Sequence, residues 1–202
     1  MNARPKMINS KAIYTAFFVG IIGLTAHSVV ANSKYNSALN KKQIVDKIET
    51  GNLTVIQQLV AEGLDLNKDL GNDGTPLILA VRSGNLHAVQ YLIKQGADIN
   101  LQSETDGNPL VVASLNNNVE LVKYLHKHGA TIDAITQYDE TALISASRAG
   151  HFEVVKYLVE NGADVNLSVE AQVASGKELR SPLNGAKTNQ IRTYLISKGA
   201  HS

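Results

Sequence analysis

Histidine is the residue type in this sequence best suited to bind a metal or to move a proton. The candidates are His87, His126, His128 and His151. His126 and His128 lie two residues apart on a predicted helix, so their side chains point to different faces. There is no cysteine, which excludes disulfides and thiolate chemistry. Serine and aspartate fall at positions of a structural repeat, so we predict no metal, no cofactor and no catalytic residue, and expect a non-enzyme.

One constant period organises the elements that carry these side chains. A glycine near the end of the unit falls at Gly63, Gly96, Gly129 and Gly162, at equal intervals along the chain. The acidic residue that opens the unit keeps the same spacing, at Asp73, Asp106 and Asp139. A fixed period of about 33 residues indicates a solenoid of stacked supersecondary units.

Each unit is predicted to be a short helix, a turn and a longer helix. Thr75 is suited to accept a hydrogen bond from a free N–H at the start of the short helix, and Pro76 has no N–H that needs a partner there. The longer helix has one apolar face, formed by Leu86, Val89, Leu92 and Ile93. One unit cannot bury that face alone, so neighbouring units must stack.

The ends of the units resemble those of the ankyrin repeat. The short helices open with Thr75-Pro76-Leu77, Asn108-Pro109-Leu110, Thr141-Ala142-Leu143 and Ser181-Pro182-Leu183. The units close with Gly63-Leu64-Asp65-Leu66-Asn67, Gly96-Ala97-Asp98-Ile99-Asn100, Gly129-Ala130-Thr131-Ile132-Asp133 and Gly162-Ala163-Asp164-Val165-Asn166. The resemblance implies an all-α ankyrin-repeat solenoid with about five helix-turn-helix repeats and polar terminal caps. The repeats are expected at about 40–71, 72–104, 105–137, 138–170 and 181–202, within one domain spanning 40–202.

The first and last repeats depart from the regular pattern. Asn40 and Gln43 are spaced as a capping box, which predicts the start of the first helix. Seven extra residues lie within 167–180, and they are predicted to extend a loop. Three residues of the shortened last repeat are predicted to face inward: Ile191, Leu195 and Ile196.

Two polar features of the longer helix of each unit have both a structural and a functional interpretation. His126 stands where the other repeats have Val60, Ile93, Val159 and Ile196. We interpret it as a partly covered histidine of the stack, with a pH-sensitive contact as the alternative. A tyrosine recurs at one position, and we interpret it as packing between repeats, with a ligand-binding ladder as the alternative: Tyr91, Tyr124, Tyr157 and Tyr194.

Residues 1–31 have the pattern of a secretory signal peptide. Arg4, Lys6 and Lys11 precede an apolar stretch over 12–26, and Ala31 ends a small-residue cleavage site. The alternative is an uncleaved anchor, but 15 apolar residues are fewer than the ~20 that span a bilayer. We expect a periplasmic or secreted protein that begins with a polar segment over 32–39 and has no membrane contact after cleavage.

The net charge disfavours nucleic acid as a partner. The whole chain has 19 basic and 18 acidic residues, but three of the basic residues lie in the first 31. The remainder has 16 basic and 18 acidic residues, a net charge of −2. Nucleic-acid-binding domains carry a clear excess of positive charge, which this segment lacks. The ankyrin resemblance implies another protein as the partner, and we expect the chain to bind it as a monomer.

The resemblance also implies where a partner would bind. Ankyrin proteins usually bind partners on the surface made of loop tips and the exposed ends of the short helices. The positions that match this surface are Asn72, Arg82, Ser83, Glu104, Thr105, Leu115, Asn116, Gln137, Tyr138, Glu140 and Arg148. The expected function is non-catalytic protein binding. Two narrower roles are alternatives: an immunity protein that neutralises a periplasm-acting toxin, and an accessory to a stress-defence enzyme such as catalase.

Overall fold

The computed structural model describes residues 40–71, 74–103, 105–137, 140–173 and 176–201. The predicted signal peptide (1–31) and the polar segment (32–39) lie outside the described residues. Short inner helices alternate with outer helices along the chain. The inner helices are α1 (Lys41–Glu49), α3 (Pro76–Arg82), α5 (Pro109–Leu115) and α7 (Ala142–Ala149). The outer helices are α2 (Leu53–Ala61), α4 (Leu86–Lys94), α6 (Val119–Lys127), α8 (Phe152–Glu160) and α9 (Asn189–Ser197).

Local hydrogen bonds set the start of each inner helix, as the sequence predicts. The side chains of Thr75, Asn108 and Thr141 accept hydrogen bonds from the backbone N–H three residues later. Asn40 and Gln43 form the predicted capping box at the start of α1. Asparagine caps α2, α4 and α6, whereas His151 precedes α8 and makes no side-chain cap.

Stacking of the repeats buries one continuous apolar core. Inner helices contact the inner helices of neighbouring repeats, and outer helices contact outer helices. Leu92, Leu125 and Leu158 hold the same position in successive outer helices and are fully buried. Burying one such side chain contributes about 1.5–3 kcal/mol. The four recurring tyrosines are partly buried against this core, which supports their interpretation as packing residues.

A ladder of side chains joins the loops that follow the outer helices. Asn100 donates to the carbonyl of Gly129 (3.0 Å) and accepts from the N–H of Thr131 (2.8 Å). Asn67 and Asn166 make the same pair of bonds to the repeats that follow them. Asp133 replaces asparagine on the remaining rung, where its carboxylate accepts from the N–H of Asp164 at 3.1 and 3.2 Å.

The inserted residues form a β-hairpin, so the prediction of a loop is refined here. Strands β1 (Val169–Val173) and β2 (Gly176–Arg180) pair antiparallel, with Val169 opposite Arg180. Simpler connections between the preceding repeats are each closed by a backbone N–H that donates to a carbonyl four residues later: Leu70 to Gly74, Ser103 to Gly107, and Thr136 to Glu140. We call these connections fingers. Since Val169 lies one repeat period after Thr136, the hairpin is a fourth finger lengthened by the insertion.

The last repeat differs from the prediction in two ways. Ser181 accepts a hydrogen bond from the N–H of Asn184, but turns replace the expected short helix. The repeat is three residues short, which is close to one helical turn. Ile191 and Leu195 are buried as predicted, whereas Ile196 is 55% exposed and its prediction is wrong. The equivalent His126 is covered by Tyr157 of the next repeat, and no repeat follows Ile196 in the described part of the chain. None of the described helices is long and apolar enough to cross a membrane.

Candidate protein-binding surface

The inner helices α3, α5 and α7 expose little except the residues near their C-terminal ends. All residues of α3 and α5 except the last are buried, and so are most residues of α7. Glu49, Arg82, Leu115 and Arg148 stand one repeat period apart, at the C-terminal ends of α1, α3 and α5 and near the end of α7. We call these four residues the inner-helix row. Because each adjacent pair lies on neighbouring stacked helices, the row forms one line across the repeats.

Ion pairs fix the N-terminal half of the row. Arg82 donates to the carboxylate of Glu49 at 2.9 Å, and its other terminal nitrogen contacts the carboxylate of Asp106. Thr105 also donates its hydroxyl to Asp106, at 3.2 Å. Arg82 thereby links its own helix to the preceding repeat and to the finger that follows.

A second polar cluster lies at the C-terminal half of the row. The carboxylate of Glu140 accepts hydrogen bonds from Ser145 and Arg148, and Arg180 of the long hairpin lies 3.5 Å from it. The Glu140 side chain is only 18% exposed, whereas the Arg148 side chain is 46% exposed. The cluster holds the base of the hairpin against α7 and leaves Arg148 as its most accessible member.

A groove lies between the two clusters. Its volume is about 280 Å³, and Leu115, which is 53% exposed, is the most exposed apolar residue on its wall. The residues that line it are Arg82, Thr105, Asp106, Val111, Val112, Leu115, Asn116, Thr136, Glu140 and Ser145. Its apolar wall and charged ends suit one apolar side chain of a partner with polar groups on either side.

The structure brings most of the described predicted residues to this surface. Arg82, Thr105, Leu115, Asn116 and Glu140 line the groove, and Arg148 lies beside it.

The other predicted residues have structural roles or cannot be placed. Ser83 is the C-cap residue that follows α3, and its hydroxyl donates to the carbonyl of Ala80. Gln137 donates to the carbonyl of Ser103 and so joins two fingers. Three predicted residues lie outside the described residues: Asn72, Glu104 and Tyr138.

Sequence reasoning missed several residues of this surface, and one signal could have found Arg180, which contacts Glu140. Asp106 recurs with Asp73 and Asp139, so the sequence favours a structural role for it. Thr136 and Ser145 do not recur, because Ser103 and Val112 hold the equivalent positions one repeat earlier. Glu140 and Arg180 occupy the closing position of a finger, where the earlier fingers have Gly74 and Gly107. Those glycines have positive φ, and a Cβ at Gly107 would lie 2.7 Å from Thr136. A charged pair replacing two glycines at one periodic position therefore marks a local change of structure.

Three of the four candidate histidines make structural contacts, and none of the four lines the groove. The Nδ1 atom of His126 is 3.1 Å from the hydroxyl of Tyr157, in keeping with a partly covered histidine of the stack. His128 stacks on Tyr124 with ring centroids 3.9 Å apart. The Nε2 atom of His151 is 2.9 Å from the carbonyl of Leu115. Within the described residues, no three histidine, aspartate or glutamate side chains are grouped to hold a metal ion.

Three described residues that lie outside the groove have shifted pKa values: Asp133, Tyr157 and Tyr194. Burial raises the pKa of the Asp133 carboxyl, and the charge of Asp164 adds to the effect, against the hydrogen bond from the Asp164 N–H. Burial also raises the pKa of the hydroxyls of Tyr157 and Tyr194. These shifts follow from packing between repeats.

Comparison with known proteins agrees with the stacked geometry. A family model for ankyrin repeats in three copies matches residues 47–103 and 95–169. No curated protein matches the chain. The matched ranges together cover more than half of the chain and contain the regular inner and outer helices. The chain therefore belongs to the ankyrin-repeat family.

Proposed function

We propose that this protein is a non-catalytic binding module that holds a protein partner on the inner-helix row and the adjoining fingers. Ankyrin repeats are protein–protein interaction modules. The observation that carries the placement is Leu115, a large apolar side chain exposed on a surface whose neighbouring positions are charged. The stack does not require an apolar residue there, since Arg82 and Arg148 occupy the same position.

The arrangement has the features of a binding hot spot. Binding energy concentrates in a few central residues that become desolvated, while the surrounding rim contributes less. Leu115 and the groove form an apolar centre, and the ion pairs of Arg82 and Glu140 form a polar border. We infer that the partner inserts an apolar side chain beside Leu115.

We also propose that the protein acts after export. The support is the charged and apolar pattern of residues 1–31 and the cleavage site at Ala31. The partner is then a protein of the periplasm or of the secreted fraction. A captured toxin would favour the immunity role, and a captured catalase or related enzyme would favour the accessory role.

Capture of the partner tests the placement. The purified protein is used to retain proteins from a periplasmic extract, which are identified by mass spectrometry and titrated by calorimetry. Leu115→Glu should weaken binding by at least ~2 kcal/mol, as expected for a central anchor. Ile196→Glu is the matched control, because Ile196 is equally exposed but lies on the last outer helix.

Circular dichroism must show that both variants keep the helical fold. If the partner binds the Leu115→Glu variant as tightly as the parent protein, the surface is wrongly placed. A loss of affinity in the Ile196→Glu variant alone would place the partner on the last repeat instead.

A further inference from the structure

Arg148 differs from Arg82, the other arginine of the inner-helix row, in its number of carboxylate partners and in its exposure. Arg82 is held by two carboxylates, from Glu49 and Asp106, and its side chain is 32% exposed. Arg148 contacts the carboxylate of Glu140 through one terminal nitrogen, and nearly half of its side chain is exposed. A guanidinium has five N–H donors. Part of the hydrogen-bonding capacity of Arg148 therefore faces the surface of the row.

The carboxylate beside Arg148 is shared. Glu140 also accepts a hydrogen bond from Ser145 and lies 3.5 Å from Arg180. The Glu140 side chain is only 18% exposed, and turning outward to follow Arg148 would break its contacts with Ser145 and Arg180. A carboxylate arriving from outside would thus meet the exposed edge of the guanidinium, with the Glu140 charge already engaged behind it.

Backbone packing supports the stem of Arg148. A Cβ built on Gly185 would lie 2.5 Å from Cγ and 3.3 Å from Cδ of Arg148. Gly185 does not have a left-handed φ, so glycine is not required there for backbone conformation. The close approach of the two residues limits where the stem can go, and a stem restricted in advance loses less entropy when its head group binds.

From this geometry we propose that the partner presents an acidic–apolar segment: one apolar side chain in the groove beside Leu115 and one carboxylate on Arg148. The inference rests on the proposed function and specifies the partner's chemistry. Neighbouring helices of a stack lie about 8–10 Å apart, which sets the spacing of the two side chains. The direction follows from net charge. Arg82 with the carboxylates of Glu49 and Asp106 carries one excess negative charge. At the other end two arginines balance two carboxylates, so an added carboxylate is repelled less there: Arg148, Arg180, Glu140 and Glu178.

Selected peptides provide a probe of known composition. A displayed library of random peptides is selected on the purified protein. Each of the strongest binders is then synthesised in two versions. The acidic version keeps its Asp or Glu residues, and the amide version has Asn or Gln in their place. We expect the selected sequences to pair an acidic with an apolar residue. The amide version should bind the parent protein about tenfold more weakly, as expected for loss of a charge pair at an interface.

Variants of the protein then localise the carboxylate. Arg148→Gln should bind the acidic and amide peptides equally, whereas Arg148→Lys should keep part of the preference. Gly185→Ala, which pushes on the Arg148 stem without removing its charge, should reduce the preference as well. Lys177→Gln is the control, because it removes an exposed hairpin cation that lies 2.6 Å from Glu170.

The outcomes separate this inference from the proposed function. If Leu115→Glu abolishes peptide binding but Arg148→Gln leaves the acidic preference intact, the acidic–apolar inference is overturned and the binding surface stands. If neither substitution changes binding, both are wrong. Selection of phosphorylated or nucleic-acid ligands in parallel screens, with no peptide binder, also overturns the inference.

Discussion

Replacing Asp133 by asparagine should stabilise the fold, because Asp133 is the acidic member of the side-chain ladder between repeats. On the other rungs, the asparagine side chain both donates to a glycine carbonyl and accepts from a backbone N–H of the next repeat. The carboxylate of Asp133 can only accept, and it does so from the N–H of Asp164. It has no N–H to offer the carbonyl of Gly162, which holds the position equivalent to Gly129. Asp133→Asn supplies that donor without changing the size of the side chain.

The expected gain follows from two contributions. One additional intramolecular hydrogen bond contributes about 0.5–1.5 kcal/mol net. The substitution also removes a partly buried carboxylate that lies close to Asp164, and both burial and that neighbouring charge disfavour the ionised form. We therefore expect the free energy of unfolding of Asp133→Asn to rise by about 1 kcal/mol at pH 7.

The dependence on pH has a definite sign. The pKa of Asp133 is raised in the folded protein above its ordinary value of 3.8, so the folded state binds the proton more tightly than the unfolded state. The stability contributed by this group is complete below pH 3.8 and is lost as the pH rises through the raised pKa. The protonated acid can donate its O–H as asparagine donates its N–H. The advantage of Asp133→Asn should therefore be largest at neutral pH and should shrink as the pH falls toward 3.8.

Urea unfolding followed by circular dichroism at pH 7 and pH 4 measures both effects. Asn100→Asp is the matched control, since it creates a second acidic rung on the same ladder and should lower stability at pH 7. If Asp133→Asn is no more stable than the parent protein at pH 7, the account of the rung is refuted. An equal gain at both pH values would refute the electrostatic part of it.

Two further predictions concern the core and the start of the mature protein. Leu125→Ala should lower the free energy of unfolding by about 2–5 kcal/mol, because it leaves a cavity in a central repeat at a fully buried position; urea melts check this, and a loss below about 1 kcal/mol contradicts the assigned packing. The mature protein should begin at Asn32, and N-terminal sequencing of protein from the periplasmic fraction checks this. A cytosolic chain that still begins at Met1 contradicts export.

Features fixed by local chemistry could be predicted from the sequence alone. Thr75 caps α3 because its hydroxyl and the N–H of Ile78 are three residues apart, whatever the rest of the chain does. Leu92, Leu125 and Leu158 are buried because the same outer-helix face is covered in every interior repeat. The helix caps and the buried leucines both recur with the repeat period. A cap or a buried leucine in one repeat therefore supports the same prediction in the other repeats.

Features that depend on a missing or changed neighbour could not be predicted in this way. Ile196 has the apolar character of its equivalents, yet it is exposed, and among the described residues no following repeat supplies a side chain to cover it. The insertion is visible as a break in the period, but its strands depend on pairing between Val169 and Arg180. The contact of Arg180 with Glu140 requires the folded hairpin to lie against the preceding finger.

The inner-helix row shows how the same period separates stability from recognition. The residue just before it in each interior inner helix is fully or almost fully buried: Val81, Ser114 and Ser147. The row itself carries glutamate, arginine, leucine and arginine, although the backbone position is the same in every repeat. Packing therefore does not determine the residue type at this position. The fold therefore does not require the leucine at position 115. We expect Leu115 to contribute to the affinity for a partner rather than to the free energy of unfolding. This difference is measurable, because Leu115→Glu should reduce binding while leaving the urea midpoint nearly unchanged, whereas Leu125→Ala should lower the midpoint.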